Sequence, residues 1–207
     1  MPVNVTEQAA MIEMACRTVL EYVGLDILVA SAGLAPSAPV TETTLAEWEL
    51  NYAVLARGYF LDAREAFRAR GEQGRGGSVV FVASKNGLVA GANAAAYSSA
   101  KAVSLHLARC VAEEGGPRGI RVNTVNPDAV IEGSSIWSSD WKSERAASHG
   151  IAEGDLQAFY RNPTRLGVDI HPEDVAEAIT FFAGPRPTKS PGNVINVDGS
   201  VTAEYPR

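Results

Sequence analysis

Cysteine is nearly absent from this sequence: Cys16 and Cys110 are the two in 207 residues. Two thiols make no disulfide framework. Both fall in helical patterns, so they read as buried thiols in a reducing compartment. Histidine is almost as scarce. His106, His149 and His171 stand far apart with no ligand spacing, so no metal site is expected. No run of 18 apolar residues occurs, and Glu7 and Glu13 interrupt the start, so neither a membrane-spanning helix nor a signal peptide is read. Positive charge is in deficit, with 18 Lys and Arg against 24 Asp and Glu. A net charge of -6 argues against nucleic acid or an anionic membrane as partner. The expected location is the cytoplasm.

What is present is ordinary globular material: 46% hydrophobic and 20% charged residues, enough for one domain with a good core. Thr6, followed by Glu7, reads as the cap of a helix running to about Tyr22, ended by Gly24. Leu25–Ala30 is a near-continuous apolar run, the pattern of a central parallel strand. It ends in Ser31-Ala32-Gly33, small residues against which a cofactor could lie. Thr43 or Thr44 caps a long helix through Trp48 and Phe60 to about Arg70. Ser78–Ala83 and Ile120–Val125 read as further strands, and Asn193–Val197 as a last short one. Pro172 opens a helix to about Ala183, with Glu173 and Asp174 in its first turn. Strand and helix alternate throughout, which gives an α/β fold with a parallel sheet.

The chemistry concentrates between Ser84 and Lys101. Tyr97 and Lys101 stand four apart on an Ala-rich helix and share one face. Ser84 ends the preceding strand and can point at that face. A phenol has an ordinary pKa of about 10. An ammonium one turn away favours the phenolate, so the pair reads as a tuned acid/base. A serine hydroxyl can hold the reacting oxygen. The group suits interconversion of an alcohol and a carbonyl, with hydride carried by a cofactor.

Ser84 thirteen residues before Tyr97-x-x-x-Lys101 resembles the short-chain dehydrogenase/reductase family. Leu25-Asp-Ile-Leu-Val with Ala32-Gly33, Ile120-Arg-Val-Asn123 and Val194–Gly199 extend the likeness over essentially the whole chain. Ala56–Phe60, Asn126–Val130, Gly133–Trp137, Trp141 and the tail Glu204–Arg207 are most similar to the dehydrogenase half of bifunctional rhamnulose-1-phosphate aldolase/alcohol dehydrogenases. The resemblance implies a Rossmann-type doubly wound parallel sheet holding NAD or NADP, with NAD favoured. It implies catalysis by Ser84, Tyr97 and Lys101. Cofactor contacts fall to Asn4, Ala32, Gly33, Tyr97, Lys101, Pro127 and Val130. Residues 132–161 become a substrate lid, with Trp137 and Trp141 shaping the pocket. The implied substrate is a small hydroxy-aldehyde such as lactaldehyde, in rhamnose catabolism. The implied assembly is a homo-oligomer, with an aldolase domain or protein as a possible partner.

The sequence departs from the family at four places. The opening strand, Gly-rich turn and helix that bind pyrophosphate are missing, so the chain is expected to hold strands 4 to 7 and their helices, an N-terminally truncated domain. Ala30 and Ser31 stand where the family has asparagines. Leu55 stands at its helical asparagine, with Asn51 one turn earlier on the same face as either a substitute or a surface or capping residue. Pro127-Asp128 replaces Pro-Gly, and aspartate visits positive φ less freely than glycine. The alternative expectation is therefore an impaired fragment with at most an assembly role.

Overall fold

The computed structural model describes residues 1–137 and 139–201; the tail Glu204–Arg207 lies outside the described residues. The strands are β1 (Ile27–Ala30), β2 (Gly77–Val82), β3 (Ile120–Pro127) and β4 (Val194–Val197). They form one parallel sheet in the order β1-β2-β3-β4, with Val29 opposite Val80, Val80 opposite Asn123 and Thr124 opposite Val194. The helices are α1 (Gln8–Tyr22), α2 (Leu45–Asn51), α3 (Tyr59–Gln73) and α4 (Ala95–Gly115). After β3 come α5 (Ser139–Ser148), α6 (Leu156–Arg161) and α7 (Pro172–Ala183). The expected α/β class and parallel sheet are observed.

Side chains along a strand alternate between the two faces of the sheet, and two cores result. Leu28, Ala30, Val79, Phe81 and Val122 meet Tyr59, Ala63 and Phe67 of α3 and Ala108 of α4. Val80 and Val125 point the other way, against Val175 and Phe182 of α7. Arg70 closes the base of the first core. It is 2% exposed, and it donates to the carbonyls of Leu25, Asp26 and Ser78 at 3.1, 2.8 and 2.8 Å. Together these bonds tie α3 to the starts of β1 and β2, where the Asp26 carbonyl also accepts from Ser78 N at 3.0 Å.

Several expectations need correction. β1 is shorter than the apolar run Leu25–Ala30, and among the described strands it lies at an edge of the sheet, where the expected lack of the opening strands would leave it. Since α7 packs on β2, β3 and β4, Ile27 and Val29 on that face of β1 remain 49% and 39% exposed. Thr6 does not cap α1. Its amide and hydroxyl both bond to Asn4 Oδ1, at 3.1 and 2.9 Å, and α1 starts after Glu7 with no side-chain cap. Cys16 and Cys110 are exposed, because α1 and α4 turn those positions outward.

The helix read from Thr44 to about Arg70 is three joined segments. Thr44 does cap it: Glu47 N donates to the Thr44 hydroxyl at 3.2 Å, and Thr44 N donates to Glu47 Oε2 at 2.7 Å. Between α2 and α3 the backbone widens into a π-helical stretch, Tyr52–Gly58. Such insertions re-phase a helix and frequently sit at functional sites. Here the segment delivers Tyr59 to the buried side of the sheet, at 1% exposure, while Phe60 stays 45% exposed.

Candidate active site

The carboxyl ends of β1, β2 and β3 open onto one cavity of about 450 Å³. That is where ligands bind in open parallel sheets. Ser84 follows β2 and starts a short 3₁₀ turn, its Oγ accepting from Asn86 N at 3.2 Å. Gly87 lets that turn lie on α4. A Cβ there would sit 2.5 Å from Leu105 Cδ1 and 3.0 Å from the Lys101 carbonyl oxygen. The close approach brings Ser84 to Tyr97. Ser84, Tyr97 and Lys101 all line the cavity, so the three residues singled out by spacing are brought together.

The electrostatics differ from the sequence expectation. Tyr97 is raised above the ordinary phenol value, chiefly by burial; hydrogen bonding to Ser84 and the charge of Arg145 pull it back down. Lys101 does not contribute to that pull. Its ammonium is turned away from Tyr97 and donates to the Val82 carbonyl at 2.8 Å and to the Tyr59 hydroxyl at 3.3 Å. Burial lowers Lys101 to about 7. Tyr59 in turn donates to the carbonyls of Val82 at 2.6 Å and Ala32 at 3.2 Å, and burial pushes its own pKa strongly upward.

Asn51 does not substitute for the missing helical asparagine at Lys101. Its Nδ2 donates to the Glu47 carbonyl at 2.8 Å, and it lines a separate small pocket. The Leu55 carbonyl accepts from Ser104 at 2.6 Å. The helical side chain that reaches Lys101 is Tyr59, one turn past Leu55. Asp128 stays out of the positive-φ region and puts its carboxylate 2.5 Å from Lys85 Nζ. Burial raises Asp128, and Lys85 opposes the rise.

The segment 132–161 contributes a further wall, with Val175, Ala176 and Ile179 of α7 beside it. Trp137 and Trp141 pack edge to face at 4.4 Å, Trp137 meets Tyr160 at 5.5 Å, and all three border the cavity. Arg145, which the sequence reading overlooked, lies among them. The i,i+4 spacing from Trp141 puts both on one face of α5, but nothing in the polar sequence around Arg145 marks that face as enclosed.

The positions assigned to a dinucleotide divide. Gly33, Pro127 and Val130 line the cavity, beside Ser31, Tyr97 and Lys101. A Cβ at Gly33 would meet only Ile136 Cδ1, at 3.4 Å, and Ser31 O, at 3.9 Å, which are ordinary contacts. Ala32 contributes its carbonyl to Tyr59 instead of lining the cavity. Asn4 is exposed and not part of the cavity. Of the assigned positions, Gly33, Pro127 and Val130 thus share the cavity with Ser84, Tyr97 and Lys101. Among the described residues no glycine-rich turn leads from a strand into a helix to receive a pyrophosphate.

A parallel α/β sheet with Ser, Tyr and Lys converging at its strand ends defines an oxidoreductase fold of the nucleotide-dependent kind. The chain belongs to the short-chain dehydrogenase/reductase family. A family profile described as enoyl-(acyl carrier protein) reductase matches residues 1–202. An uncharacterized oxidoreductase of Bacillus subtilis, YuxG, is 57% identical over 191 residues, 92% of this chain and 28% of that protein. The cis-4-hydroxycyclohexanecarboxylate dehydrogenase of Sinomonas cyclohexanicum is 32% identical over 201 residues, 97% of this chain and 75% of that protein. Among solved structures, sorbitol-6-phosphate 2-dehydrogenase of Erwinia amylovora superposes with a TM-score of 0.92 at 26% identity, covering 98% of this chain and 78% of that one. The family uses a nicotinamide dinucleotide. Among the described residues no helix is long and apolar enough to cross a membrane.

Proposed function

We propose that this chain interconverts an alcohol and a carbonyl on a small polar substrate, with NAD or NADP as the hydride carrier. The observation that carries the reading is the convergence of Ser84, Tyr97 and Lys101 on one cavity at the carboxyl ends of the strands. Bound NAD(P) would supply or accept the hydride. Ser84 holds the substrate oxygen, and Tyr97 gives that oxygen a proton in reduction or takes one in oxidation. With its pKa raised, Tyr97 is a proton donor at neutral pH. Lys101 supplies positive charge behind the reacting centre, and Gly33, Pro127 and Val130 border the nicotinamide. Residues 132–161 act as the lid, with Trp137 and Trp141 shaping the substrate space.

Lactaldehyde in rhamnose catabolism is the specific substrate that the subgroup resemblance implies, and homo-oligomer formation and an aldolase partner belong to the same reading. The much greater length of the Bacillus relative supports additional domains. The pyrophosphate-binding element, along with the Asn4 and Ala32 contacts, would be completed by chain beyond the described strands, seated on the open edge of β1. Without it, NAD(P) should bind only weakly, which titration calorimetry measures; low-micromolar affinity would refute that part.

The test of the activity, in a longer chain that supplies the pyrophosphate-binding element, is absorbance at 340 nm with NADH or NADPH and a panel of small hydroxy-aldehydes, lactaldehyde among them. Tyr97→Phe keeps the ring and removes the proton, and should lower turnover by about 10²- to 10⁴-fold with an unchanged melting curve. Undiminished turnover in that variant would remove the assignment.

A further inference from the structure

Arg145 stands in the cavity with no carboxylate among the described residues to balance it. It lies on α5 at 8% exposure. Its Nε donates to the Tyr160 hydroxyl at 2.7 Å and its Nη1 to the Ser37 hydroxyl at 2.8 Å. Ser37 donates onward to the Asn93 carbonyl at 3.0 Å, so both partners are neutral. Among the described residues no carboxylate lies within ion-pair distance of the guanidinium. The carboxylate in the cavity wall, Asp128, is already held by Lys85 at 2.5 Å.

A second donor nearby also lacks an acceptor. Trp141 stands one turn earlier on α5, lines the same cavity, and has a buried Nε1 with no hydrogen-bond partner among the described residues. The two side chains are neighbours, with the Arg145 guanidinium carbon 6.0 Å from the Trp141 ring centroid. Desolvating a cation is costly unless an opposite charge compensates it. A buried N–H without an acceptor adds to that cost. Only two of the five guanidinium N–H groups are engaged, and the free ones retain the planar fork that matches an oxyanion.

We propose that Arg145 and Trp141 form an oxyanion subsite, so that the substrate carries a carboxylate or phosphate on the side away from its reacting carbon. The subsite deepens the oxidoreductase reading and rests on it for its role, though its binding can be measured alone. It moves the preferred substrate from a neutral hydroxy-aldehyde such as lactaldehyde to a hydroxy acid or a phosphorylated alcohol. The positive charge that receives the head group is the same one that acts on Tyr97. Binding an anion there couples substrate capture to the acid/base group.

The experiment is a fluorescence titration read on the cavity tryptophans. The probes are cyclohexanecarboxylate, its neutral amide, and inorganic phosphate. None of them can be oxidised, so binding is separated from turnover. Wild-type protein should bind carboxylate or phosphate at least tenfold more tightly than the amide, and the stronger of the two names the head group. Arg145→Met should lose about 10- to 100-fold for that anion. Amide binding should change little. Arg145→Lys should recover part of the loss, and Trp141→Phe should show a smaller one in the same direction, read by calorimetry. Equal binding of acid and amide, no binding of either anion, or equal loss for acid and amide in Arg145→Met would each overturn the subsite. Anion binding with no turnover at saturating NAD(P), in a chain that carries the pyrophosphate-binding element, would leave the subsite standing and remove the oxidoreductase reading instead.

Discussion

The Lys101 ammonium lies 3.3 Å from the hydroxyl of Tyr59, a side chain 42 positions earlier in the sequence. The contact exists because the π-helical stretch before α3 turns Tyr59 under the ends of β1 and β2, where its hydroxyl also bonds the Val82 and Ala32 carbonyls. Tyr59 thus ties a cation in the cavity to the strand ends. Tyr59→Phe removes one partner of Lys101 and orphans the Ala32 carbonyl. Stability should fall by about 1–3 kcal/mol, measured by urea unfolding. A Lys101 left with fewer partners holds its proton less well, so any limb of the pH–rate profile that titrates near 7 in wild type should move to lower pH. An unmoved limb would show that Tyr59 does not position the lysine.

Ser84 is given two tasks, holding the substrate oxygen and drawing the Tyr97 pKa down. Ser84→Ala should therefore cut turnover by about 10²-fold or more and raise the pH at which Tyr97 ionises. An alkaline spectrophotometric titration of Tyr97, taken as the difference between Ser84→Ala and Ser84→Ala/Tyr97→Phe, reads the second effect. If Tyr97 ionises at the wild-type pH, the hydrogen bond carries no weight.

Lys85 and Asp128 form a pair in which the carboxylate side chain is 6% exposed and the ammonium side chain 20%. Breaking such a pair costs more than the pair contributes, because a buried charge is left behind. Lys85→Met should destabilise the fold by about 3 kcal/mol at pH 8. The loss should shrink as pH falls and the unpaired Asp128, already raised by burial, takes up a proton. Lys85→Met/Asp128→Asn should recover most of the loss at pH 8, as a thermal-melt double-mutant cycle would record. A double variant no more stable than Lys85→Met would show that the pair is not what Lys85 stabilises.

These contacts mark the limit of what the sequence made legible. Parallel β2 and β3, α4 and α7 follow from apolar runs and caps, and appear within one or two residues of expectation. So does the convergence of Ser84, Tyr97 and Lys101. The role of Tyr59 was hidden, since a helical pattern carries no sign of a widened turn until the packed partners select it. The orientation of Lys101 was equally hidden. Its i,i+4 spacing from Tyr97 places both on one face, but the Val82 carbonyl and Tyr59 hydroxyl decide where its ammonium points. Arg145 was obscured for another reason: on a polar segment an arginine reads as solvated until Trp137, Trp141 and Tyr160 are seen to enclose it.

Asp62 provides a pH test away from the cavity. It lies on α3 at 7% exposure, beside Tyr59, and burial raises it to about 7. A carboxyl whose folded pKa exceeds its unfolded value stabilises the fold fully below about pH 4, and that contribution is lost as pH rises to about 7. Asp62→Asn stays neutral throughout. Its stability relative to wild type should therefore increase by about 2–4 kcal/mol between pH 4 and pH 8, several degrees in Tm. Parallel calorimetric melts at the two pH values measure it, and a pH-independent difference would contradict the assigned burial effect.

The exposed edge of the sheet gives the last expectation. Among the described residues β1 pairs with β2 on one side only, and Ile27 and Val29 remain 49% and 39% exposed on the face that α7 leaves open. An apolar edge strand with unpaired backbone groups is a template for another chain, and natural sheets blunt such edges with charge, especially lysine. Neither residue carries any. Each of these side chains would contribute about 1.5–3 kcal/mol if fully buried, so covering this face is worth a substantial part of a domain's net stability of about 5–15 kcal/mol. The 207-residue chain should therefore self-associate at micromolar concentration, seen as higher-mass species in size-exclusion chromatography with light scattering. Ile27→Lys or Val29→Lys should reduce that association while leaving the α3/α4 core intact, because Leu28 and Ala30 carry the packing on that face. A chain that elutes as a single monodisperse monomer and melts sharply would show that the β1 edge is protected after all. Association unchanged by both lysine variants would place the contact elsewhere on the surface.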